Sequence, residues 1–181
     1  MKEISLNILD VTENSVKAGA TLTKITIKEN SEELLLTISD NGCGMDEEVL
    51  KSVTDPFYTT RTTRKVGLGI PLLKLAAEQT GGYFKIESSI DKKNHGTCVC
   101  AMFYKKSIDF TPLGDVVSTV TTLIQGHPQT NFLFTHQSEK NNVLLDTREI
   151  KEVLGDVPIN SFEVIKWIEE YLCEQYASNP D

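Results

Sequence analysis

No stretch of about 18 consecutive apolar residues occurs in this 181-residue chain, so nothing in it reads as a membrane-spanning helix. The opening residues Met1-Lys2-Glu3-Ile4 lack the apolar core of a secretion signal, and the expectation is a cytoplasmic protein. Cysteine is scarce: Cys43, Cys98, Cys100 and Cys173 form no C-x-x-C pair, which speaks against structural zinc. Cys98 and Cys100 alternate on a predicted strand, share one face, and read as small core residues rather than redox centres. Histidine is scarcer still. His95, His127 and His136 form no Ser-His-Asp or Cys-His arrangement that would make a nucleophile. Positive charge is also short, with 18 Lys and Arg against 26 Asp and Glu, a net of −8. The imbalance is uneven: residues 1–112 carry a net −1 and residues 113–181 a net −7. That excludes a general nucleic-acid binder, whose affinity comes largely from Lys and Arg on phosphates.

What is present is organised around Asp40-Asn41-Gly42-Cys43-Gly44-Met45-Asp46, which follows the apolar run Leu34-Leu35-Leu36-Thr37-Ile38. A strand ending in a carboxylate and running into Gly-x-Gly is suited to receive a ligand. The carboxylate accepts a hydrogen bond from an amino group, and two glycines let backbone approach a flat ring with no Cβ in the way. The same residues also make ordinary turn chemistry, so the stretch needs the rest of the chain to decide it.

Residues 3–18 predict an amphipathic helix, with Ile4, Ile8, Val11 and Ala18 at helical spacing and Gly19 as its stop. Asp10 and Asn14 lie four apart and project from one face. Strands follow at Thr21–Lys28 and Leu34–Ser39, joined at Asn30-Ser31-Glu32. Asp46 is placed to cap a helix reaching about Val53. Residues 54–66 are polar, threonine-rich and basic without periodicity, and read as a flexible loop. Gly67-Leu68-Gly69 opens a helix whose Ile70, Leu72, Leu73, Leu75, Ala76 and Ala77 predict deep burial, ending at Gly81-Gly82. Strands at Tyr83–Ser88 and Thr97–Tyr104 flank a polar turn, and Lys105–Pro112 is the one plausible linker. Beyond it come a helix at Asp115–Gln125, strands Asn131–His136 and Asn142–Asp146, a short helix Thr147–Leu154, and a last helix from Ser161 to about Tyr176. Ser161 is expected to cap that helix, with Phe162, Val164, Ile165, Ile168 and Leu172 as core.

A helix with Asp-x-x-x-Asn, a strand ending in DNGCGM, a basic loop after DPFYTT, and GLG opening a helix occur here in one order. This order resembles the GHKL ATPase superfamily, shared by histidine kinases, mismatch-repair ATPases, gyrase and Hsp90-type chaperones, over roughly residues 3–104. TENSVKAGAT with DNGCGM is similar to the mismatch-repair type. DPFYTT, then GLGIPLLKLAAEQTGGYFKIES and Gly96-Thr97, is similar to the histidine kinases. The resemblance implies an α+β fold, a two-layer α/β sandwich with helices on one face of a mixed sheet (the Bergerat ATP-binding fold). A C-terminal α-β-β-α extension follows, its helical end in the two pieces given above. Residues 1–112 would be a histidine kinase-like ATPase domain, and residues 113–181 an acidic extension packed on or extending it.

The resemblance implies ATP and Mg2+ as cofactors and gives the residues roles. Asn14 would be the magnesium ligand, and Asp40 would accept the adenine amino group with Gly42, Gly44 and Met45 around it. Thr97 would help fix the adenine. Gly67, Leu68 and Gly69 would present N–H groups to the phosphates at a helix N-terminus. Phe57 would anchor the lid loop, and Arg61, Arg64 and Lys65 would either reach the phosphates or stay solvated. Three departures stand out. Where mismatch-repair and gyrase types carry a water-orienting Glu, this chain has the shorter Asp10, with Glu13 about 100° round the helix. Lys65 replaces the first glycine of the phosphate box. No phosphoacceptor module is expected, since about three residues precede the first helix, and no histidine has an acidic neighbour on a helix.

Two functions follow from the resemblance. One is a stand-alone ATP-binding module that phosphorylates or regulates a partner protein. The other is an ATP-gated interaction switch with slow hydrolysis and no phosphotransfer. A mismatch-repair fragment is disfavoured by charge and by the lack of a second domain. A protein partner is expected, nucleic acid and membrane are not, and a homodimer is left open. Residues 113–181 read either as cover for an exposed strand edge or as an acidic docking surface anchored by Trp167, Tyr171 and Tyr176.

Overall fold

The structure is a computed structural model and describes residues 3–54 and 68–178. Among the described residues six strands form one mixed sheet: β1 (Leu22–Glu29), β2 (Glu33–Asp40), β3 (Tyr83–Ser89), β4 (Gly96–Tyr104), β5 (Asn131–Gln137) and β6 (Asn142–Asp146). Their spatial order is β3-β4-β2-β1-β5-β6. Only the β1–β5 pair is parallel; the others are antiparallel. The helices are α1 (Ile4–Lys17), α2 (Glu47–Val53), α3 (Gly69–Gln79), α4 (Val116–Gly126), α5 (Thr147–Leu154) and α6 (Phe162–Ala177). The fold is the expected α+β sandwich. Among the described residues, no helix is long and apolar enough to cross a membrane.

Alternation along the strands puts one set of side chains on the helix-covered face. Thr23, Ile25 and Ile27 of β1 stand beside Ile38 and Leu36 of β2, then Val99, Ala101 and Phe103 of β4, and on the other side Phe132 and Phe134 of β5. Each fully buried Ile or Leu here contributes about 1.5–3 kcal/mol relative to exposure. Helix α1 supplies Ile4, Ile8 and Val11 over the middle of the sheet, with α3 on one flank, α4 on the other, and α6 beyond α4.

Aspartates supply the caps. The Val49 N–H donates to Asp46 Oδ1 at 2.9 Å, Ser118 N–H to Asp115 at 2.8 Å, and Arg148 N–H to Asp146 at 2.9 Å. Ser161 stands at the N-cap of α6 but makes no cap bond, because its hydroxyl is turned into the interior, where it has no partner.

Several burial expectations are corrected. Leu75 is half-exposed, since the buried stripe of α3 is the narrower set Ile70, Leu73 and Ala77. Phe162 is 78% exposed, because it lies off the face of α6 that Val164, Ile168 and Leu172 bury. Cys98 and Cys100 do share a face, but it is the one opposite Val99, Ala101 and Phe103, whose side chains join the helix-covered core; Met102 is the buried member on the cysteines' side. Both cysteines are free and half-buried, and burial, with Cys100 adding, pushes the Cys98 thiol up. A raised thiol pKa disfavours the reactive thiolate.

The segment after β4 is firmly attached. The Lys105 N–H donates to Glu32 O at 2.7 Å, and the first amides of α1, on Ile4 and Ser5, donate to Pro112 O and Leu113 O at 2.9 and 2.8 Å. Those bonds satisfy two of the amides that a helix start otherwise leaves orphaned. Strand β5 then lies along β1, so the C-terminal segment extends the sheet by two strands.

A buried polar cluster ties the ends together. His136 is 3% exposed, and its Nε2 lies 2.9 Å from Glu29 Oε1, its Nδ1 2.9 Å from the Tyr176 hydroxyl. Lys105 Nζ donates to Glu29 Oε2 at 2.6 Å. The hydrogen bond from His136, with Lys105 adding, holds the Glu29 carboxyl down at about 2. An ionised carboxylate only accepts, so Nε2 carries the proton toward it. Burial, with the Glu29 charge adding, raises the Tyr176 phenol well above its usual range.

Candidate functional site

Strand β2 delivers Asp40 to the end of the sheet, where it pairs with Thr97 of β4 on one side and Thr23 of β1 on the other. Buried Ser15 of α1, on the stripe shared with Val11 and Ala18, donates its hydroxyl proton to Asp40 Oδ2 at 2.6 Å. The Gly42 N–H donates to Oδ1 at 2.9 Å, and the Thr97 N–H adds a longer contact at 3.3 Å. A carboxylate has about four acceptor directions. Three are used, so the carboxylate is oriented by protein yet retains capacity to accept from a bound amino group.

The loop after Asp40 is braced from several sides. Asn41 Oδ1 accepts from the Thr21 and Leu22 amides at 2.9 and 3.0 Å. The His95 ring donates from Nδ1 to Gly42 O at 2.6 Å, tying the β3–β4 turn to the loop. Gly44 has φ of +72°, and a Cβ there would sit 1.9 Å from Ser89 O; a Cβ on Gly42 would meet the Ala18 Cβ at 2.9 Å. The close approach that these glycines permit is therefore first to the chain's own Ser89 and Ala18. Next along, the Met45 N–H donates to Ser88 Oγ at 2.8 Å, and that hydroxyl also bonds Gly96 O and the Thr97 hydroxyl.

Over this framework lies a cavity of about 360 Å³. Asn14, Asp40, Gly44, Met45 and Thr97 line it, with Ile38, Val53, Ile70 and Val99 as apolar walls. A mostly apolar hollow with a few convergent polar groups suits a flat heterocycle. Asn14 projects into it, and its amide makes no hydrogen bond to another described residue.

The structure thus brings Asn14, Asp40, Gly42, Gly44, Met45 and Thr97 together. Asp10 stands apart: it is exposed and does not line the cavity. Its neighbour is Gly69, where a Cβ would come within 2.8 Å of the Asp10 Cβ, so the glycine lets α3 start against α1. Leu68 is exposed ahead of that helix. Phe57, Arg61, Arg64, Lys65 and Gly67, with the predicted flexible loop at 54–66 from residue 55 on, lie outside the described residues.

Glu13 is turned toward α4, and its Oε1 lies 2.6 Å from His127 Nε2. The two residues are 114 positions apart, and the pairing ties α1 to the end of α4. Two supporting residues, Ser15 and Ser88, escape a motif search. For Ser15 a signal existed: a hydroxyl on the buried stripe of α1 needs a partner. For Ser88 nothing in the local sequence distinguishes it from its strand neighbours.

Comparisons with known proteins bear on the family and the fold. The model for the histidine kinase-, DNA gyrase B- and HSP90-like ATPase matches residues 2–107. Sporulation kinase C of Bacillus subtilis (strain 168) is 32% identical over 92 residues, 51% of this chain and 21% of that protein. Sensor protein SrrB of Staphylococcus aureus (strain NCTC 8325 / PS 47) is 33% identical over 97 residues, 51% of this chain and 16% of that protein. The match thus spans about a fifth or less of the length of these relatives. In fold, the chain is similar to the N-terminal domain of a DNA repair protein, with a TM-score of 0.56 at 17% identity, covering 86% of this chain and 58% of that one. It is also similar to the Aquifex aeolicus MutL ATPase domain complexed with ADP, with a TM-score of 0.53 at 16% identity, covering 85% and 69%. With the family model matching more than half its length, the chain belongs to the histidine kinase-, DNA gyrase B- and HSP90-like ATPase family.

Proposed function

We propose that the chain binds Mg-ATP in the cavity above Asp40 and, in that state, phosphorylates or regulates a partner protein. The observation that carries the reading is the Asp40 carboxylate, held by Ser15, Gly42 and Thr97 with acceptor capacity left over. In this reading Asp40 accepts from the adenine amino group, Thr97 fixes the ring edge, and Gly42, Gly44 and Met45 form the bed beneath it. Leu68 and Gly69 begin α3 beside the cavity, where helix amides and the dipole favour phosphate oxygens.

The residues present fit a magnesium ion that arrives with the nucleotide. Among the described residues no group of three or more His, Cys, Asp or Glu could hold a metal by itself. Asn14 offers one amide oxygen at the cavity, and magnesium is commonly held by one or two protein oxygens plus phosphates. Bound there, the ion would supply charge neutralisation on the phosphates.

A second reading, an ATP-gated interaction switch with slow hydrolysis, is favoured by one observation. Asp10, at the place of a water-orienting carboxylate, is exposed and off the cavity lining.

Calorimetry with ATP, ADP and GTP, with and without magnesium, tests the shared core of both readings. Magnesium-dependent ATP binding that excludes GTP is expected; indifference to the base would remove Asp40 as an adenine reader. Incubation with γ-labelled ATP and candidate partners then separates transfer from gating. A partner affinity equal in apo, ADP and ATP states would rule out gating, because a ligand without differential affinity shifts no equilibrium.

A further inference from the structure

Away from the nucleotide cavity, α5, α6 and the end of β6 enclose a groove of about 580 Å³, larger than the cavity above Asp40. Its floor and walls are apolar, from Ile150, Val153 and Leu154 of α5 to Val164, Trp167 and Tyr171 of α6. Val153 is 88% exposed and Trp167 50% exposed, and the Trp167 and Tyr171 rings stack at 5.2 Å with 11° between their planes. Tyr176, expected as a third anchor, instead points inward to His136.

The rim is acidic. Glu149 and Glu163 line the groove. Glu170 and Glu174 follow Trp167 at helical spacing of three and seven and so share its face. The nearby cations are already paired: Arg148 with Asp146, itself a groove-lining carboxylate, at 2.6 Å, and Lys151 Nζ donates to Asn131 Oδ1 at 2.8 Å. Lys166 lies one residue, about 100°, round α6 from Trp167.

We infer that this groove docks an amphipathic helix of a partner protein, one whose apolar stripe is flanked by Lys and Arg. Charge complementarity selects a basic partner over a second copy of this chain, which would bring two acidic rims together. The β6 edge selects a helix over an added strand. The outward N–H and C=O of Leu144 are both taken by the Gln175 amide, at 2.9 and 3.0 Å, so an incoming strand would first have to displace it. An apolar helix face then has the Trp167–Tyr171 stack and Val153 to cover, and its flanking cations meet Glu149, Glu163 and Glu170, which is the helix-in-groove mode.

The chain's single tryptophan is in the groove, so occupancy is directly readable. A display library of amphipathic helices, apolar positions fixed and polar positions random, is selected against the full chain, and winning peptides are synthesised and titrated. Enrichment of Lys and Arg at the random positions is expected, with a shift in Trp167 emission on binding. Val153→Glu, at an exposed helix position, should weaken binding at least tenfold with an unchanged thermal melt, and Glu149→Lys with Glu163→Lys should do the same by reversing the rim. Absence of enrichment, acidic winners, or winners that bind Val153→Glu as well as wild type would overturn the assignment. So would a dimer in sedimentation that Val153→Glu dissolves, since the groove would then serve a second copy. The assignment does not depend on nucleotide binding, and loss of ATP binding in calorimetry would leave these outcomes unchanged.

Discussion

Ser15 and Asp40, 25 residues apart in sequence, meet at 2.6 Å, with the serine hydroxyl donating to the carboxylate. The bond fixes which acceptor directions of Asp40 remain for a ligand. Asp40→Asn turns an acceptor-only group into one that presents NH₂ to the adenine amino group. The loss of a charged hydrogen bond should cost about 1.5–3 kcal/mol, or roughly ten- to a hundredfold in ATP affinity. Ser15→Ala should cost less, roughly several-fold, because only orientation is lost. Calorimetry on both variants checks the order; unchanged affinity in Asp40→Asn would remove it from the site.

Asn14→Ala should abolish the magnesium-dependent part of ATP affinity while the fold stays intact, since the side chain faces the cavity and bonds no described residue. Titrations with and without magnesium, beside a thermal melt, test this. Equal magnesium dependence in wild type and variant would exclude Asn14 as the ligand.

Asp10 is the departure with a chemical consequence. Its carboxylate must come within about 3 Å of an attacking water, directly or through a second water, to act as base. Glu13 does not compete for that role, being held by His127. Weak intrinsic hydrolysis is expected, lowered by Asp10→Asn with ATP binding spared, and raised by Asp10→Glu. Asp10→Asn turning over as fast as wild type would deny it a base role and favour transfer to a partner's side chain.

The Glu29 carboxyl, held at about 2 by His136 and Lys105, predicts an acid limit. Its folded pKa lies below the ordinary value of 4.5. The stabilisation is therefore fully present above about pH 4.5 and is lost as pH falls toward 2. Thermal melts of wild type and Glu29→Gln should converge at the acid end of that window and diverge above it, with the variant less stable near neutrality. Parallel pH profiles would show that the cluster does not couple to folding.

Much of this was legible in the sequence because it was local. Alternation in Thr21–Lys28 and Leu34–Ser39, the stop at Gly19, and Asp46 at a helix start each need only a few neighbouring residues, and all appear where expected. The bounds of α5 match the expectation residue for residue. What was not legible depends on distant partners. Cys98 and Cys100 alternate correctly, yet alternation does not say which face the helices cover. Glu13 and His127, separated by 114 positions, give no local hint of their contact. Phe162 looks like core by chemistry, and only the packing of α6 shows that the buried face is that of Val164, Ile168 and Leu172.

The parallel pairing of β1 with β5 also sets a timetable for the chain as it is made. Strand β1 lies in the interior of the finished sheet, but one of its two neighbours is residues 131–137, more than 100 positions later. Synthesis runs from the N-terminus at about 5–20 residues per second. During that interval the Thr- and Ile-rich β1 has an open row of amides and carbonyls on one side, a template for pairing with another nascent chain. Closure of that side waits for β5, and the Gln175 amide then blocks part of the new edge on β6. A product truncated before residue 131 would keep β1 open permanently. The last third of the chain thus covers the strand edge that the first part leaves open.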